Sequence, residues 1–269
     1  MGDSLSERQR EQYSRQLMSD AVGEREQRRL LSSRVLVVGA GGLGSAVIPY
    51  LTAAGVGTLG IADGGTVKRS NLQRQILHGV EDIGEPKVDS AARFVRERNP
   101  DVTVETHPTR VEPSDAESLI EEYDVVVDGV DGFRARFLLN DVARIAAVPF
   151  VHGAVYGFEG QTMAFVPGGP CYRCLLPAVP DSETIPSDEP MEVFPTLPGT
   201  IGCLQATETL KYLFDVGELL DDRLVRYDAT DVTFVSTPLE RAPDCPVCGP
   251  DGIDSIDGVD YGGDCRIER

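Results

Sequence analysis

The sequence predicts an α/β protein with a doubly wound, mostly parallel Rossmann-like sheet. Short apolar runs alternate with helix-like stretches through the first half of the chain, as parallel strands joined by crossover helices do. The apolar run 35–38 is followed by four glycines and a second apolar stretch, 43–54. A strand, a glycine-rich turn and a helix in this order are typical of a nucleotide-phosphate site.

The glycine turn carries Gly39, Gly41, Gly42 and Gly44. We expect Gly39 to permit the tight turn, Gly41 to let backbone approach a phosphate, and Gly44 to let the helix pack on the strand. The helix N-terminus then offers free N–H groups to an anion. Asp63 follows the apolar run 58–62, where a ribose-binding carboxylate is expected. The alternative is a tight turn without a ligand.

The remaining elements are predicted from local patterns. Two helices, 6–18 and 24–31, precede the first strand, so they lie outside the nucleotide unit and could reach a partner subunit. The later pattern predicts helices at 86–98, 113–122, 133–147 and 198–214, strands at 102–106 and 123–128, and antiparallel additions at 149–155, 161–166 and 223–239.

The chain is long enough for one large domain, which we place at residues 1–250. Within it, the proline-rich and acidic stretch 178–198 is predicted to be a crossover loop, of a length that usually carries function. Residues 251–269 are rich in Asp and Gly and poor in core formers, which predicts a disordered acidic tail.

The 44 acidic and 25 basic residues give a net charge of −19. This charge argues against direct nucleic-acid binding through a basic surface. Carboxylates spread along the whole chain suggest a halophilic protein, whose self-repulsion is screened by salt; an ordinary acidic protein is the alternative. We find no secretion signal and no long apolar run, so we expect a cytoplasmic protein without membrane contact.

Four of the six cysteines form two pairs with the CxxC spacing: Cys171, Cys174, Cys245 and Cys248. Together they predict a closed tetrahedral site for Zn²⁺, which would be structural because no coordination position stays open. Such a metal would tie the end of the chain to its middle. Two separate redox motifs or free thiols are the alternatives.

Charged residues after the predicted strands complete the candidate site. Arg74 and Lys87 could neutralise phosphates, and Asp131, after a strand, could hold Mg²⁺ as a hard oxygen ligand. Arg15, in the leading helices, could reach the phosphates of a neighbouring subunit. Any one of these residues taken alone is more often a surface charge.

With these residues assembled, the chain resembles the MoeB/ThiF branch of the ubiquitin-activating enzyme superfamily, and its acidity resembles that of haloarchaeal members. The match covers about residues 5–249. The stretches that carry it are Tyr13-Ser-Arg-Gln16, Gly39-Ala-Gly-Gly-Leu-Gly44, Asp63, Asn71-Leu-Gln-Arg-Gln75, Pro86-Lys-Val88, Asp128-Gly-Val-Asp131, Pro170-Cys-Tyr-Arg-Cys174, Gly199-Thr-Ile-Gly202, Leu204-Gln-Ala-Thr-Glu208, Arg226-Tyr-Asp-Ala229 and Cys245-Pro-Val-Cys-Gly249.

The resemblance implies an adenylyltransferase acting on a small β-grasp ubiquitin-like or sulfur-carrier protein that ends in Gly-Gly. The carrier's terminal carboxylate attacks the α-phosphate of Mg·ATP, giving an acyl-adenylate and pyrophosphate. The family pattern places Asp63 on the ribose, Asn71 near the α-phosphate and Asp131 on Mg²⁺. It places three cations on the phosphates: Arg74, Lys87 and, from the other subunit of a homodimer, Arg15.

One departure concerns the loop cysteine on which many relatives form a thioester or persulfide. Its place falls at about Ser187–Asp188 here, which predicts adenylylation without a thioester. Cys203 and Cys265 are the thiols left for such a step. Alternatively, the adenylate passes directly to a sulfur donor, for which a sulfurtransferase is a possible partner. Protein conjugation, tRNA thiolation and molybdopterin synthesis stay open as end pathways.

Three other functions are alternatives to adenylylation of a carrier protein. An NAD-dependent oxidoreductase would use the same glycine turn, but the three histidines form no evident catalytic set and the CxxC pairs stay unexplained. A zinc-stapled binding module would catalyse nothing. Adenylation of a modified tRNA base is a third possibility, but its need for a basic surface fits poorly with the charge of −19.

Overall fold

A computed structural model describes residues 4–179 and 192–262. The helices are α1 (Glu7–Gln12), α2 (Ser14–Leu17), α3 (Glu24–Ser32), α4 (Gly44–Ala54), α5 (Lys87–Arg98), α6 (Pro113–Ile120), α7 (Phe133–Ile145), α8 (Tyr172–Leu175) and α9 (Leu197–Phe214). The strands are β1 (Arg34–Val38), β2 (Thr58–Ala62), β3 (Thr103–His107), β4 (Val125–Asp128), β5 (Phe150–Tyr156), β6 (Glu159–Phe165), β7 (Arg223–Asp228) and β8 (Thr233–Pro238).

The strands form one sheet in the order β3-β2-β1-β4-β5-β6-β7-β8. The first five are parallel, and β6, β7 and β8 add antiparallel strands, so the predicted fold class is confirmed. The chain moves outward from β1 to β3 and then returns to place β4 on the other side of β1. Ligands bind outside the strand ends at such a switch point.

The core lies on both faces of the sheet because buried strands alternate their side chains. Val35 and Val37 of β1 pack in one hydrophobic cluster, with α4 and α5, whereas Leu36 and Val38 pack in the other, with α6 and α7. Helix α9 lies directly against α4, because a Cβ at Gly202 would be 2.6 Å from the Leu43 carbonyl oxygen.

Two segments differ from the sequence-based expectation. The predicted helix 6–18 is interrupted at Tyr13, whose buried hydroxyl accepts a hydrogen bond from Asn99 at 2.9 Å. Residues 251–262 of the expected disordered tail are described, and Ile256 and Tyr261 are buried beside α7. These two side chains, with Val259 packed against the same cluster, hold this part of the tail on the domain. Ser187, Asp188 and Cys265 lie outside the described residues.

None of the helices within residues 4–179 and 192–262 combines the length and the apolar character needed to cross a bilayer.

Candidate active site

The glycine turn lies at the switch point of the sheet, where the ends of three strands meet. Val38 pairs with Ala62 on one side and with Asp128 on the other. Gly39 has a φ of +102°, a left-handed conformation that favours glycine. A Cβ at Gly39 would lie 2.4 Å from the Gly129 carbonyl oxygen, and one at Gly44 would lie 2.1 Å from that of Gly39. Packing alone therefore requires glycine at both positions.

The other two glycines of the turn have different surroundings: Gly42 packs against the start of α9, and Gly41 is less crowded. A Cβ at Gly42 would lie 2.9 Å from the Pro198 side chain at the start of α9. At Gly41 the nearest atom to a Cβ would be Gln75 Nε2, 3.7 Å away. Backbone is therefore accessible at Gly41, directly before the N-terminus of α4.

Asp63 lies beside the turn, with its carboxylate held by backbone. Asp63 Oδ2 accepts the Ala40 N–H at 2.9 Å, and Oδ1 accepts the Gly65 N–H at 2.7 Å. Lys87, the first residue of α5, places its Nζ 3.6 Å from Asp63 Oδ2. Both side chains are largely buried, with 14% and 13% exposure for Lys87 and Asp63. A carboxylate and a cation are thus held together at the rim of the turn.

The segment after β2 brings further polar groups to the turn. Arg74 lies beside Gly42, since a Cβ at that glycine would be 3.7 Å from Arg74 Cγ. Asn71 ends a short 3₁₀ turn, Arg69–Asn71, and its carbonyl accepts the N–H groups of Arg74 and Gln75 at 3.1 and 3.0 Å. The segment therefore folds back so that Arg74 and Gln75 both lie against the glycines.

Two buried polar atoms next to the turn, Ser45 Oγ and Gln75 Oε1, have no hydrogen-bond partner in the described part of the chain. Leaving such an atom unpaired costs on the order of 1–3 kcal/mol, so both fit a site that a polar ligand completes. The free backbone at Gly41, the N-terminus of α4 and the two cations fit the phosphates of a nucleotide. The sequence pattern alone predicts no role for Gln75.

Asp131 and Arg15 lie in very different places. Asp131 is exposed in the loop after β4, which begins at Gly129, the residue packed on Gly39. Arg15 is exposed on α2, and its neighbour Gln16 donates to the Ala54 carbonyl at 3.0 Å. Ala54 ends α4, so Arg15 is anchored about 15 Å along the helix from its own glycine turn. The structure therefore places Asp63, Arg74 and Lys87 around the glycine turn and Asp131 in the loop that adjoins it, whereas Arg15 lies at the far end of α4.

Behind the Asp131 loop lies a buried polar cluster that the sequence did not reveal. Arg136 Nε donates to Asp128 Oδ2 at 2.6 Å, and His152 Nδ1 lies 2.8 Å from the same oxygen. Arg136 also donates to the carbonyl of Val130 at 2.9 Å, next to Asp131. An arginine inside the apolar helix α7 and a histidine inside a buried strand were the available signals.

Charges within this cluster balance one another. Burial raises the pKa of the Asp128 carboxyl, but the Arg136 guanidinium and the His152 contact outweigh burial, so that pKa lies below its usual range. Burial lowers the pKa of His152. The carboxylate is therefore ionised and the imidazole is neutral at pH 7. The loop bearing Asp131 packs on this cluster and is held by the bond from Arg136 to the Val130 carbonyl.

The two CxxC pairs converge as predicted. Their four Sγ atoms all lie within 4.8 Å of one another, with Cys171 3.6 Å from Cys245 and Cys174 3.3 Å from Cys248. Four sulfurs at Zn–S distances of about 2.3 Å would be about 3.8 Å apart, so the cluster fits a tetrahedral metal. Contact with Cys174 raises the pKa of the Cys171 thiol, whereas contact with Cys171 lowers the pKa of the Cys245 thiol.

Cys203 lies on α9, and burial raises the pKa of its thiol. A raised pKa leaves little thiolate at neutral pH, so this cysteine is a poor nucleophile.

A nucleotide-type glycine turn on a mixed sheet, together with a four-cysteine cluster, points to one protein family. The ThiF family pattern matches residues 13–247, and the chain belongs to the ThiF family. It is 53% identical over 264 residues to the SAMP-activating enzyme E1 of Haloferax volcanii, with 98% of each chain covered. It is 42% identical over 263 residues to the sulfur carrier protein adenylyltransferase of Thermus thermophilus, covering 96% of this chain and 97% of that one.

More distant likenesses agree with the fold. The chain superposes on E. coli MccB crystallised with ATP at a TM-score of 0.80 and 22% identity, covering 88% of this chain and 74% of that one. The predicted family is thus confirmed, and the halophilic expectation fits the Haloferax relative. The NAD-dependent oxidoreductase receives no support from these relatives.

Proposed function

We propose that this protein is an adenylyltransferase that uses ATP to adenylylate the C-terminal glycine of a small ubiquitin-like or sulfur-carrier protein. The observation that carries the proposal is the open glycine turn with its unpaired buried atoms, faced by Asp63, Arg74 and Lys87. The Haloferax and Thermus relatives, named as a SAMP-activating enzyme and a sulfur carrier adenylyltransferase, support the same activity.

Asp63 receives the ribose in this proposal. Its two oxygens are fixed by the Ala40 and Gly65 N–H groups, which leaves remaining lone pairs directed to a ribose hydroxyl. Lys87, held 3.6 Å away, neutralises phosphate charge without moving far. Because both groups are set before the ligand arrives, little reorganisation is needed during the reaction.

Phosphate charge is neutralised from several sides. Arg74 beside Gly42 binds phosphate oxygens, and Asn71 lies near the α-phosphate. Asp131, at the carboxyl end of β4, binds Mg²⁺. When bound, this ion neutralises charge on the pyrophosphate leaving group. No general base is required, because the attacking group is already a carboxylate. The work of the chain is therefore positioning and charge neutralisation.

A homodimer supplies the last cation. Arg15 is about 15 Å along α4 from its own turn, which favours action on the site of a second subunit. Mixing two inactive variants tests this directly. Arg15→Ala and Asp131→Ala subunits together rebuild one complete site in each mixed dimer, so activity should recover to about a quarter of wild type. Recovery to no more than the separate variants' activity would contradict action in trans.

Zn²⁺ at Cys171, Cys174, Cys245 and Cys248 has a structural role in this proposal. All four ligands are thiols from the chain, so no position is left for a substrate. Thiol ligands and ATP consumption fit a reducing, cytoplasmic location.

The acyl-adenylate has two onward routes, protein conjugation or sulfur transfer towards tRNA or molybdopterin. The MOCS3 relative of Arabidopsis thaliana is named an adenylyltransferase and sulfurtransferase, and this chain spans 53% of its length at 40% identity. We propose a separate sulfurtransferase as partner on the sulfur route. The raised pKa of Cys203 argues against a thioester on that thiol.

Exchange of radiolabelled pyrophosphate into ATP tests the function, with carrier proteins ending in Gly-Gly and the same carriers lacking that dipeptide. Exchange should need the intact tail. Lys87→Ala and Asp131→Ala should each reduce exchange by about a hundredfold or more, with unchanged thermal unfolding. Arg29→Ala, which removes an exposed arginine on α3, is the matched control and should retain activity. Exchange that ignores the carrier tail would refute the proposal.

A further inference from the structure

His78 is buried where three segments of the active site meet. Its Nε2 lies 2.9 Å from the Ala40 carbonyl oxygen in the glycine turn, and its Nδ1 lies 2.8 Å from Ser90 Oγ on α5. The residue itself closes the segment that carries Asn71 and Arg74, through a 3.1 Å bond from its N–H to the Gln75 carbonyl. The His78 side chain thus contacts both the glycine turn and α5, while its backbone belongs to the segment that carries Arg74.

The contact with Ala40 fixes one peptide group of the turn. A carbonyl oxygen only accepts, so Nε2 of His78 must carry the proton in this bond. On the other side, the Ala40 N–H donates to Asp63 at 2.9 Å. In a trans peptide the C=O and the following N–H point in opposite directions. Holding the Ala40 carbonyl on His78 therefore aims the Gly41 N–H away from His78.

The contact with Ser90 connects this peptide to α5. Ser90 lies three residues after Lys87, on the same face of the helix. Ser90 Oγ lies 2.9 Å from Asp82 Oδ2, and that carboxylate accepts the Gly79 N–H at 2.7 Å. The imidazole ring is therefore held in one orientation, and the turn and the helix carrying Lys87 are kept at a fixed separation.

We infer that His78 is a positioning residue for adenylylation: it aims the Gly41 N–H at the ATP phosphates and sets the turn against α5. This inference rests on the proposed function. It also gives a role to a histidine for which the sequence offered none, and it does not require His78 to contact the nucleotide.

A pair of amide substitutions separates this role from general packing. The amide nitrogen of His78→Gln can occupy the place of Nε2 and keep the bond to Ala40. That of His78→Asn reaches only the place of Nδ1 and keeps the bond to Ser90. We expect His78→Gln to leave the KM for ATP in pyrophosphate exchange within about twofold of wild type, whereas His78→Asn raises it about tenfold. The kcat should change less than the KM in both.

Amide hydrogen exchange of the nucleotide-free protein gives a readout that does not depend on activity. Residues 39–44 should exchange faster in His78→Asn than in wild type, but not in His78→Gln. Ser90→Ala, which keeps the Ala40 contact and frees the ring, should give a smaller increase of about threefold in the KM for ATP.

Equal behaviour of the glutamine and asparagine variants, with both folded, would overturn the inference. Wild-type protein that binds ATP but shows no exchange with any carrier would instead refute the proposed function. In that case the turn's hydrogen exchange and the Kd for ATP would still test His78, with the same expected difference between the two variants.

Discussion

The glycine turn and the region around α7 differ in how completely their polar groups are satisfied. At the turn, Ser45 Oγ and Gln75 Oε1 are buried without partners among the described residues. Beside α7, Arg173 makes several hydrogen bonds to the Asp141 carboxylate, of which the shortest, from Nη2 to Oδ2, is 2.6 Å long. The Tyr261 hydroxyl donates to the same carboxylate at 2.9 Å. Gln205 Oε1, buried against Gly153, also lacks a partner among the described residues. At the turn, however, two such atoms lie beside accessible backbone, which fits a place that a polar ligand completes.

The same comparison separates stability from activity. Substitutions of the charged side chains around the turn should impair the reaction and leave the fold intact, because those side chains are held ready for a ligand. Substitutions of the buried polar residues around α7 and of the clustered cysteines should instead lower the stability of the fold, because each leaves a buried partner unpaired.

Loss of one cysteine ligand should have the largest effect on stability. We expect Cys174→Ser to remove bound zinc and lower the free energy of unfolding by about 5 kcal/mol or more, because metal binding and folding are linked. Denaturant unfolding and the metal content of purified protein measure both quantities. The control is Cys203→Ser, which makes the same change outside the cluster and should cost about 1 kcal/mol at most. Wild-type stability in Cys174→Ser would contradict the metal staple.

Breaking the buried ion pair between Arg136 and Asp128 should have the second-largest effect on stability. Arg136→Met leaves Asp128 charged and unpaired in the interior, so we expect a loss of about 3–5 kcal/mol in the free energy of unfolding. The double variant Asp128→Asn/Arg136→Met should regain part of this loss. Equal stability of the single and double variants would mean that the charge pair between Asp128 and Arg136 does not stabilise this buried cluster.

Acid should weaken the interior before it affects the exposed carboxylates. Burial lowers the pKa of His152, so below about pH 6.5 the unfolded chain binds more protons at this residue than the folded one. Stability should therefore fall from pH 7 to pH 5, by up to about 1.4 kcal/mol per pH unit for this histidine. Denaturant unfolding at constant high salt should show a smaller pH slope in His152→Gln than in wild type.

Removal of one hydroxyl from the tail should have the smallest effect. Tyr261→Phe deletes the hydrogen bond to the buried Asp141 carboxylate, and we expect a loss of about 1–2 kcal/mol in the free energy of unfolding. Tyr156→Phe makes the same change on a side chain that is 56% exposed and should have no measurable effect. Equal stabilities for the two variants would mean that the tail is not anchored by Tyr261.

The elements around the glycine turn and the cysteine cluster could be predicted from short stretches of the sequence. The apolar run 35–38 and the glycines after it gave the position of β1, the turn and α4. Asp63 could be placed because the carboxyl ends of parallel strands meet at one edge. The CxxC spacing predicted the four-sulfur cluster even though its halves are separated by 74 residues, since each half is a local motif.

Contacts between residues distant in the chain could not be predicted in the same way. Arg136 and His152 meet at Asp128 only after α7 and β5 have packed on the sheet. Tyr261 lies in a stretch whose Asp and Gly content predicts disorder, yet one phenol finds a buried carboxylate 120 positions earlier in the chain. Each such partnership depends on three-dimensional packing that carries no periodic signal in the sequence.

The most direct test of the central claim is the mass of a Gly-Gly-ended carrier protein after incubation with this protein and Mg·ATP at high salt. The account predicts a carrier whose terminal glycine has gained AMP, with release of pyrophosphate, and no such product from Lys87→Ala or from a carrier without its last glycine. An unmodified carrier beside folded, ATP-bound wild-type protein would contradict it.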